Sequence, residues 1–192
     1  MSAQLSLDGM DCPVTDRLFY ALLPDVKSAG QIVEFARRLR ADHHPKGALI
    51  PSERLHVTLA FLGDFAGLPK GIVSSALIAG EQLEGTPFDV TFDRLQKFGH
   101  DKQAVVLRGE EIAGGVNEFR RRLVEAMLYQ GLKPAGPTGF TAHITLMYDD
   151  GPIVEEQVAP ISWTAKEFVL VRSLIGKSRH EILGRWPLRS RA

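Results

Sequence analysis

One four-residue pattern occurs twice in the sequence, as His56-Val57-Thr58-Leu59 and, 87 residues later, as His143-Ile144-Thr145-Leu146. In an extended strand, side chains two residues apart point to the same face. Each copy therefore predicts a strand with a histidine and a threonine on one face and aliphatic residues on the other. A single copy would be ordinary, because a strand histidine is more often structural than catalytic. Two copies indicate a duplicated unit.

The elements before each motif are repeated as well. Each motif strand is preceded by a strand, a helix and a loop rich in proline and glycine. In the first half these four elements are predicted at 17–23, 28–40, 41–53 and 55–62. In the second half they are predicted at 104–107, 116–129, 133–139 and 142–148. The sequence thus predicts two related lobes with a shared cleft between the histidine strands.

The remaining segments set the fold class. A further helix is predicted at 68–83, a strand at 88–98, and mainly strands after a turn at 149–152. Several strands follow one another without a helix between them, which favours antiparallel sheets. We therefore expect an α+β fold with two pseudo-symmetric antiparallel sheets lining a central groove and the helices outside. It would form one bilobal domain over 16–192, after a flexible leader at 1–15.

Composition excludes several classes of function. The chain has 23 basic and 23 acidic residues, so general binding to duplex nucleic acid is not expected. A single cysteine, Cys12, allows neither an internal disulfide nor a cysteine zinc cluster. No apolar run approaches the roughly 18 residues of a membrane helix, and the first 15 residues lack signal-peptide features. We expect a cytoplasmic monomer without membrane contact.

Two imidazoles that face one cleft can perform acid and base catalysis together near neutral pH. The threonine two residues after each histidine adds a hydroxyl donor suited to a nonbridging phosphoryl oxygen. No carboxylates or thiolates recur beside the motifs, so phosphodiester chemistry without a metal or other cofactor is the simplest interpretation. Zinc binding by the two histidines is the alternative, but it has no third ligand at motif spacing.

The sequence resembles the two-histidine (2H) phosphoesterases, whose signature is a duplicated His-x-Thr-x with a hydrophobic fourth position. Within them it is most similar to the bacterial and archaeal RNA 2′,3′-cyclic phosphodiesterases, also called 2′–5′ RNA ligases. Besides the motifs, the resemblance rests on four segments that span nearly the whole folded chain. These are Arg17-Leu18-Phe19, the block 55–63, Leu170-Val171-Arg172-Ser173 and Trp186-Pro187-Leu188.

The resemblance implies metal-independent hydrolysis of a 2′,3′-cyclic phosphate, at an RNA 3′ end or on a small nucleotide, to a 2′-phosphomonoester. It implies that His143 is the base that activates water and His56 the acid that protonates the departing O3′. Thr58 and Thr145 would hold phosphate oxygens. Because the repeat makes the site nearly symmetric, the sequence alone does not determine which histidine is the base.

Four residues are candidates for substrate binding. Relatives often have an arginine at the position of Tyr148, which reaches the cleft only if its strand ends or bends first. Phe61 and Phe140 flank the motifs and could stack on a base, although core packing is the commoner role. His180 lies in a basic segment between two strands, where a solvated hairpin tip is the alternative.

Other polar residues have simpler interpretations. His100, His43 and His44 are predicted in turns or loops, Asp149-Asp150 in a turn, and 120–122 on the wet face of a helix. Alternative functions are a 2H enzyme acting on 2′–5′ oligonucleotides or an ADP-ribose cyclic phosphate, and 2′–5′ joining of RNA. A non-catalytic module that binds nucleotides or RNA is the alternative from a different class.

Overall fold

A computed structural model describes residues 13–98, 103–109, 115–136 and 139–189. These residues form eight strands, three α-helices and one 3₁₀ turn at Ser52–Arg54. The helices are α1 (Val26–His43), α2 (Lys70–Glu81) and α3 (Gly115–Tyr129). The strands are β1 (Asp16–Leu22), β2 (Val57–Phe65), β3 (Phe88–Phe98), β4 (Ala104–Arg108), β5 (His143–Tyr148), β6 (Glu156–Ala165), β7 (Glu167–Leu174) and β8 (Arg179–Pro187).

The strands form one antiparallel sheet in the order β6-β3-β4-β5-β2-β1-β7-β8. The predicted α+β class with antiparallel pairing is confirmed, and the two predicted sheets are the two four-stranded halves of this one sheet. The halves meet at the motif strands β2 and β5, where Val57 pairs with Ile144. The repeated strands β1-β2 and β4-β5 therefore lie on either side of this junction.

The two faces of the sheet differ in what covers them. The main core lies on one face, where apolar residues of all three helices, such as Ile32, Ala76 and Leu123, pack against the sheet. On the other face a small cluster of Phe19, Ala21, Val169 and Val171 contains no helix residue. This second face is the floor of an open groove, and the motif side chains lie on it.

Several predicted boundaries were wrong. Helix α1 begins before the predicted range 28–40, because Asp25 is the N-cap and its carboxylate accepts a hydrogen bond from the Ser28 N–H at 2.7 Å. Strand β2 continues past Gly63, since β1 pairs with it as far as Phe65. The sequence did not show where β6 begins, because the first half of this strand is mostly exposed and lacks a clear apolar alternation.

The last residue of the predicted leader is held by two main-chain hydrogen bonds. The main-chain N–H of Thr15 donates to the carbonyl oxygen of Phe65, and the carbonyl oxygen of Thr15 accepts from the N–H of Ile175, at 2.9 Å each. The rest of the leader up to residue 12, and the predicted turn at 99–102 with His100, lie outside the described residues. Among the described helices, none is long and apolar enough to cross a membrane.

Candidate active site

The pairing of β2 with β5 brings the two motifs side by side. His56 directly precedes β2 and His143 is the first residue of β5. In the antiparallel register set by Val57 and Ile144, each histidine lies nearest the threonine of the other motif. A charge on His143 would lower the pKa of His56, as expected for two imidazoles in one site.

Both histidines are held by the same main-chain contact. The Nδ1 atom of His56 lies 2.7 Å from the carbonyl oxygen of Arg54, and that of His143 lies 2.7 Å from the carbonyl oxygen of Thr141. A carbonyl only accepts, so each Nδ1 carries the proton of the neutral ring. Neither Nε2 atom has a hydrogen-bond partner among the described residues, so both remain available for proton transfer.

The surroundings of His56 are apolar and crowded. Its ring stacks on Phe19 at a centroid distance of 4.7 Å and meets His180 edge to face at 5.3 Å. Burial, and then the charges of His143 and Arg54, lower the pKa of His56 to about 4, although the hydrogen bond to the Arg54 carbonyl acts in the opposite direction. His56 is therefore neutral at pH 7 in the free protein.

His180 packs against His56 and is not a solvated hairpin tip. It is the second residue of β8, and its ring contacts Phe19 at 5.6 Å as well as His56. Burial, followed by the charges of His56 and Arg54, lowers its pKa to about 4. The sequence could not show this contact, because β1 and β7 lie between β2 and β8 in the sheet.

A β-bulge in each motif strand brings one more side chain to the groove. The pairing of β1 with β2 skips Leu59, and the pairing of β4 with β5 skips Leu146. Two consecutive residues in each strand therefore face the main core, Leu59-Ala60 and Leu146-Met147. The residue after each bulge returns to the histidine face. These residues are Phe61 and Tyr148, at the same position of the repeat, so Tyr148 does reach the groove.

A model of the 2′-5′ RNA ligase superfamily matches residues 26–176, a span that contains both motifs. The chain belongs to the 2′-5′ RNA ligase superfamily. The RNA 2′,3′-cyclic phosphodiesterase of Escherichia coli K12 is 27% identical to it over 181 residues, which cover 90% of the chain and 96% of the relative. The predicted kinship with the two-histidine phosphoesterases is confirmed.

Solved structures of this superfamily share the fold. E. coli LigT complexed with 3′-AMP matches with a TM-score of 0.71 at 26% identity, and the match covers 92% of this chain and 99% of that one. E. coli LigT complexed with ATP matches with a TM-score of 0.70 over the same shares, also at 26% identity. The open groove face of the sheet thus belongs to an architecture shared with enzymes of the superfamily.

Arg120 connects the two motifs, since it contacts Phe140 before the second motif and bonds to the first motif. Phe140 packs against the main core, and the Arg120 guanidinium lies 4.4 Å from its ring centroid. Arg120 also donates from Nε to the carbonyl oxygen of Leu59, the bulge residue of the first motif, at 3.0 Å. The predicted wet helix face is therefore wrong for Arg120, which is half-buried. Phe140 lies on the core side, with Arg120 over one face of its ring.

In the second motif, a main-chain group and not an arginine donates to the bulge residue. The carbonyl oxygen of Leu146 accepts the main-chain N–H of Ile50 at 2.7 Å. Nearby, the Asp149 carboxylate accepts from the N–H groups of Gly47 and Gly151, at 2.6 and 2.7 Å. Asp149 thus fixes the turn predicted from its sequence. It also ties the loop before the first motif to the end of the second motif strand.

Phe61 and Arg54 complete the groove. Phe61 packs against the apolar cluster of the groove floor, 5.4 Å below the Arg17 guanidinium. Arg54, which sequence inspection missed, is two residues before His56, and its Nε is buried without a hydrogen-bond partner among the described residues. Its position directly before the motif was the only local signal.

The described residues contain no group of three or more histidine, cysteine, aspartate or glutamate side chains placed to hold a metal ion. Both threonine hydroxyls of the motifs are free of hydrogen bonds to other described residues. The groove therefore presents two imidazole nitrogens, two hydroxyl donors and the Arg54 cation, a set suited to binding an anion and transferring protons around it.

Proposed function

We propose that this protein hydrolyses a 2′,3′-cyclic phosphate, on an RNA 3′ end or a nucleotide, to a 2′-phosphomonoester. The observation that carries the proposal is the matched pair of histidines, each oriented by a carbonyl on Nδ1 and free at Nε2. The activity named for the E. coli relative, which aligns with nearly the whole chain, supports the same substrate.

The reaction needs one proton acceptor and one proton donor. A water oxygen attacks phosphorus while Nε2 of His143 takes its proton, as the family resemblance implies. The bond from phosphorus to O3′ breaks, and Nε2 of cationic His56 gives its proton to O3′. The products are a 2′-phosphomonoester and a free 3′-hydroxyl, so one water is consumed and no metal is required.

Positioning supplies much of the rate in phosphoryl transfer. We propose that the hydroxyls of Thr58 and Thr145 donate to the two nonbridging oxygens of the cyclic phosphate. In the register of β2 and β5, Thr58 lies opposite His143 and Thr145 lies opposite His56. The two hydroxyls would orient the cyclic phosphate so that the attacking water faces one imidazole and O3′ faces the other.

The acid role of His56 requires a proton that the free protein does not hold at pH 7. Burial keeps the ring neutral, since it lowers the pKa of His56 to about 4. An anionic phosphate beside Nε2 raises that pKa again, because an opposite charge favours the cationic form. We propose that His56 takes up its proton together with the substrate.

Turnover in a chelator tests the proposal. Purified protein in EDTA should open a nucleoside 2′,3′-cyclic phosphate, and chromatography should show the 2′-phosphomonoester. A 3′-phosphomonoester would refute the proposed direction of opening. Tight nucleotide binding without product over long incubation would favour the non-catalytic binding module. Parallel reactions with 2′–5′ oligoadenylate and with RNA halves test the alternative substrates. Since both motifs come from one chain, we propose that a monomer holds the complete site.

A further inference from the structure

A cleft of about 860 Å³ adjoins the histidine groove. Arg17, Arg54 and Tyr148 line it, together with the tip of the β7–β8 hairpin. The two arginines differ in their partners. Arg17 forms two hydrogen bonds of 2.7 Å to the carboxylate of Asp64. Arg54 makes no ion pair with any described residue, so its charge is the one left for a ligand.

Arg54 is joined to the histidine site in two ways. Its carbonyl oxygen accepts the Nδ1–H of His56. The charge of its side chain also acts on the His56 and His180 rings. The guanidinium therefore lies in the wall between the catalytic groove and the adjoining cleft.

The state of the Arg54 side chain indicates an anionic ligand. Its Nε is shielded from solvent and has no acceptor among the described residues, which is costly for a charged donor. The carboxylates of the cleft face main-chain N–H groups. Asp149 accepts from Gly47 and Gly151, and Asp150 lies 3.5 Å from the N–H of Gln103. A phosphate oxygen would supply the missing acceptor, and guanidinium groups match phosphates well.

An RNA end presents a second phosphate close to the cyclic one. A nucleoside 2′,3′-cyclic phosphate carries one phosphate, whereas the last nucleotide of an RNA also carries a phosphodiester on its 5′ side. We propose that Arg54 and Tyr148 form a subsite for this 5′ phosphodiester, so that the enzyme prefers an RNA end to a free cyclic nucleotide. This inference rests on the proposed function, which places the cyclic phosphate between His56 and His143.

The test compares two substrates with the same terminal nucleoside. One is the nucleoside 2′,3′-cyclic phosphate, and the other is a dinucleotide that ends in the same cyclic phosphate. In wild type the dinucleotide should have the lower KM, and added salt should reduce this advantage. Arg54→Gln should raise the dinucleotide KM by about tenfold or more, and the mononucleoside KM by a clearly smaller factor. Arg54→Lys should have a dinucleotide KM between those of wild type and Arg54→Gln.

Two variants serve as controls. Arg40→Gln removes an exposed arginine on α1 and should leave both substrates unchanged. Tyr148→Phe removes only the phenol donor from the cleft and should raise the dinucleotide KM by a smaller factor than Arg54→Gln. If Arg54→Gln fails to fold by circular dichroism, Arg54→Lys and Tyr148→Phe decide the question.

The outcomes separate this inference from the proposed function. Equal effects of Arg54→Gln on both substrates, or no effect on either, would overturn the subsite. Equal KM values of wild type for the two substrates would overturn it as well. If wild type opens neither cyclic phosphate, the proposed function itself fails.

Discussion

Val57 pairs with Ile144, and the two residues occupy the same position in the two copies of the motif. A residue that pairs with its own counterpart lies at the local two-fold axis of the repeat. The histidines and threonines of the site are therefore related by this axis. Their neighbours are not, because Phe19 and His180 surround His56 while Phe98 meets His143 edge to face at 5.2 Å.

The two threonines should contribute similarly, since the axis relates them. Thr58→Val and Thr145→Val keep the side-chain shape and remove a hydroxyl donor to a charged oxygen. Each should lower kcat/KM by about 10- to 100-fold, the equivalent of a hydrogen bond of about 1.5–3 kcal/mol. Thr164→Val on β6, where the hydroxyl pairs with Asp89, is the matched control and should retain full activity. Steady-state kinetics in EDTA would show whether either motif threonine is dispensable.

Ligand binding should be coupled to proton uptake by His56. Its pKa of about 4 leaves it neutral at pH 7 in the free protein, and a bound phosphate favours the cation. Calorimetric titration with a nucleoside 2′-phosphate, in buffers of different ionisation enthalpy, measures the protons taken up. Wild type should take up more than His56→Gln. Equal uptake would mean that His56 stays neutral and is the base, with His143 as the acid.

Acid should destabilise the fold through His180 and His56. The folded protein holds both pKa values near 4, below the unfolded value of about 6.5, so the unfolded chain binds more protons in this window. The contribution of these two histidines to the free energy of unfolding is complete above about pH 6.5 and is lost as pH falls toward 4. His180→Phe, which keeps an aromatic ring there, should show a smaller loss over this range in urea denaturation. His43→Gln, at the exposed end of α1, should follow wild type, and the same result for His180→Phe would contradict the prediction.

Arg120 should matter for both stability and activity, in contrast to its neighbour on α3. Arg120→Met removes the donor to the Leu59 bulge and the cation over Phe140, which should cost about 1–3 kcal/mol of unfolding free energy. Activity should fall as well, because the bulge sets the position of the first motif. Arg121→Met removes an exposed partner of Glu118 and Glu125 and should change little. Similar urea midpoints and rates for the two variants would argue against a support role.

Much of the candidate site could be predicted from the sequence, because the motif residues are close together in the chain and the motif occurs twice. The spacing of two residues between histidine and threonine fixes a shared face, and the offset of 87 residues indicates two strands that meet. The bulges also left a trace. Two consecutive aliphatic residues in each motif strand break the alternation before Phe61 and Tyr148.

The remaining features depend on contacts between distant segments. Nothing near His180 in the sequence shows that β8 folds back far enough to reach His56. Arg120 follows the pattern of an exposed helical arginine, yet it reaches a carbonyl 61 positions away. The buried Nε of Arg54 has no acceptor among the described residues, and only the structure shows that.

The most direct test of the paired-histidine account is the rate of cyclic phosphate hydrolysis by His56→Ala and His143→Ala in EDTA. Each variant should lose about 10²- to 10⁴-fold in kcat, with circular dichroism showing an intact fold. The double variant should be little worse than the singles, because the two groups act as a unit. A near wild-type rate in either single variant would contradict the account.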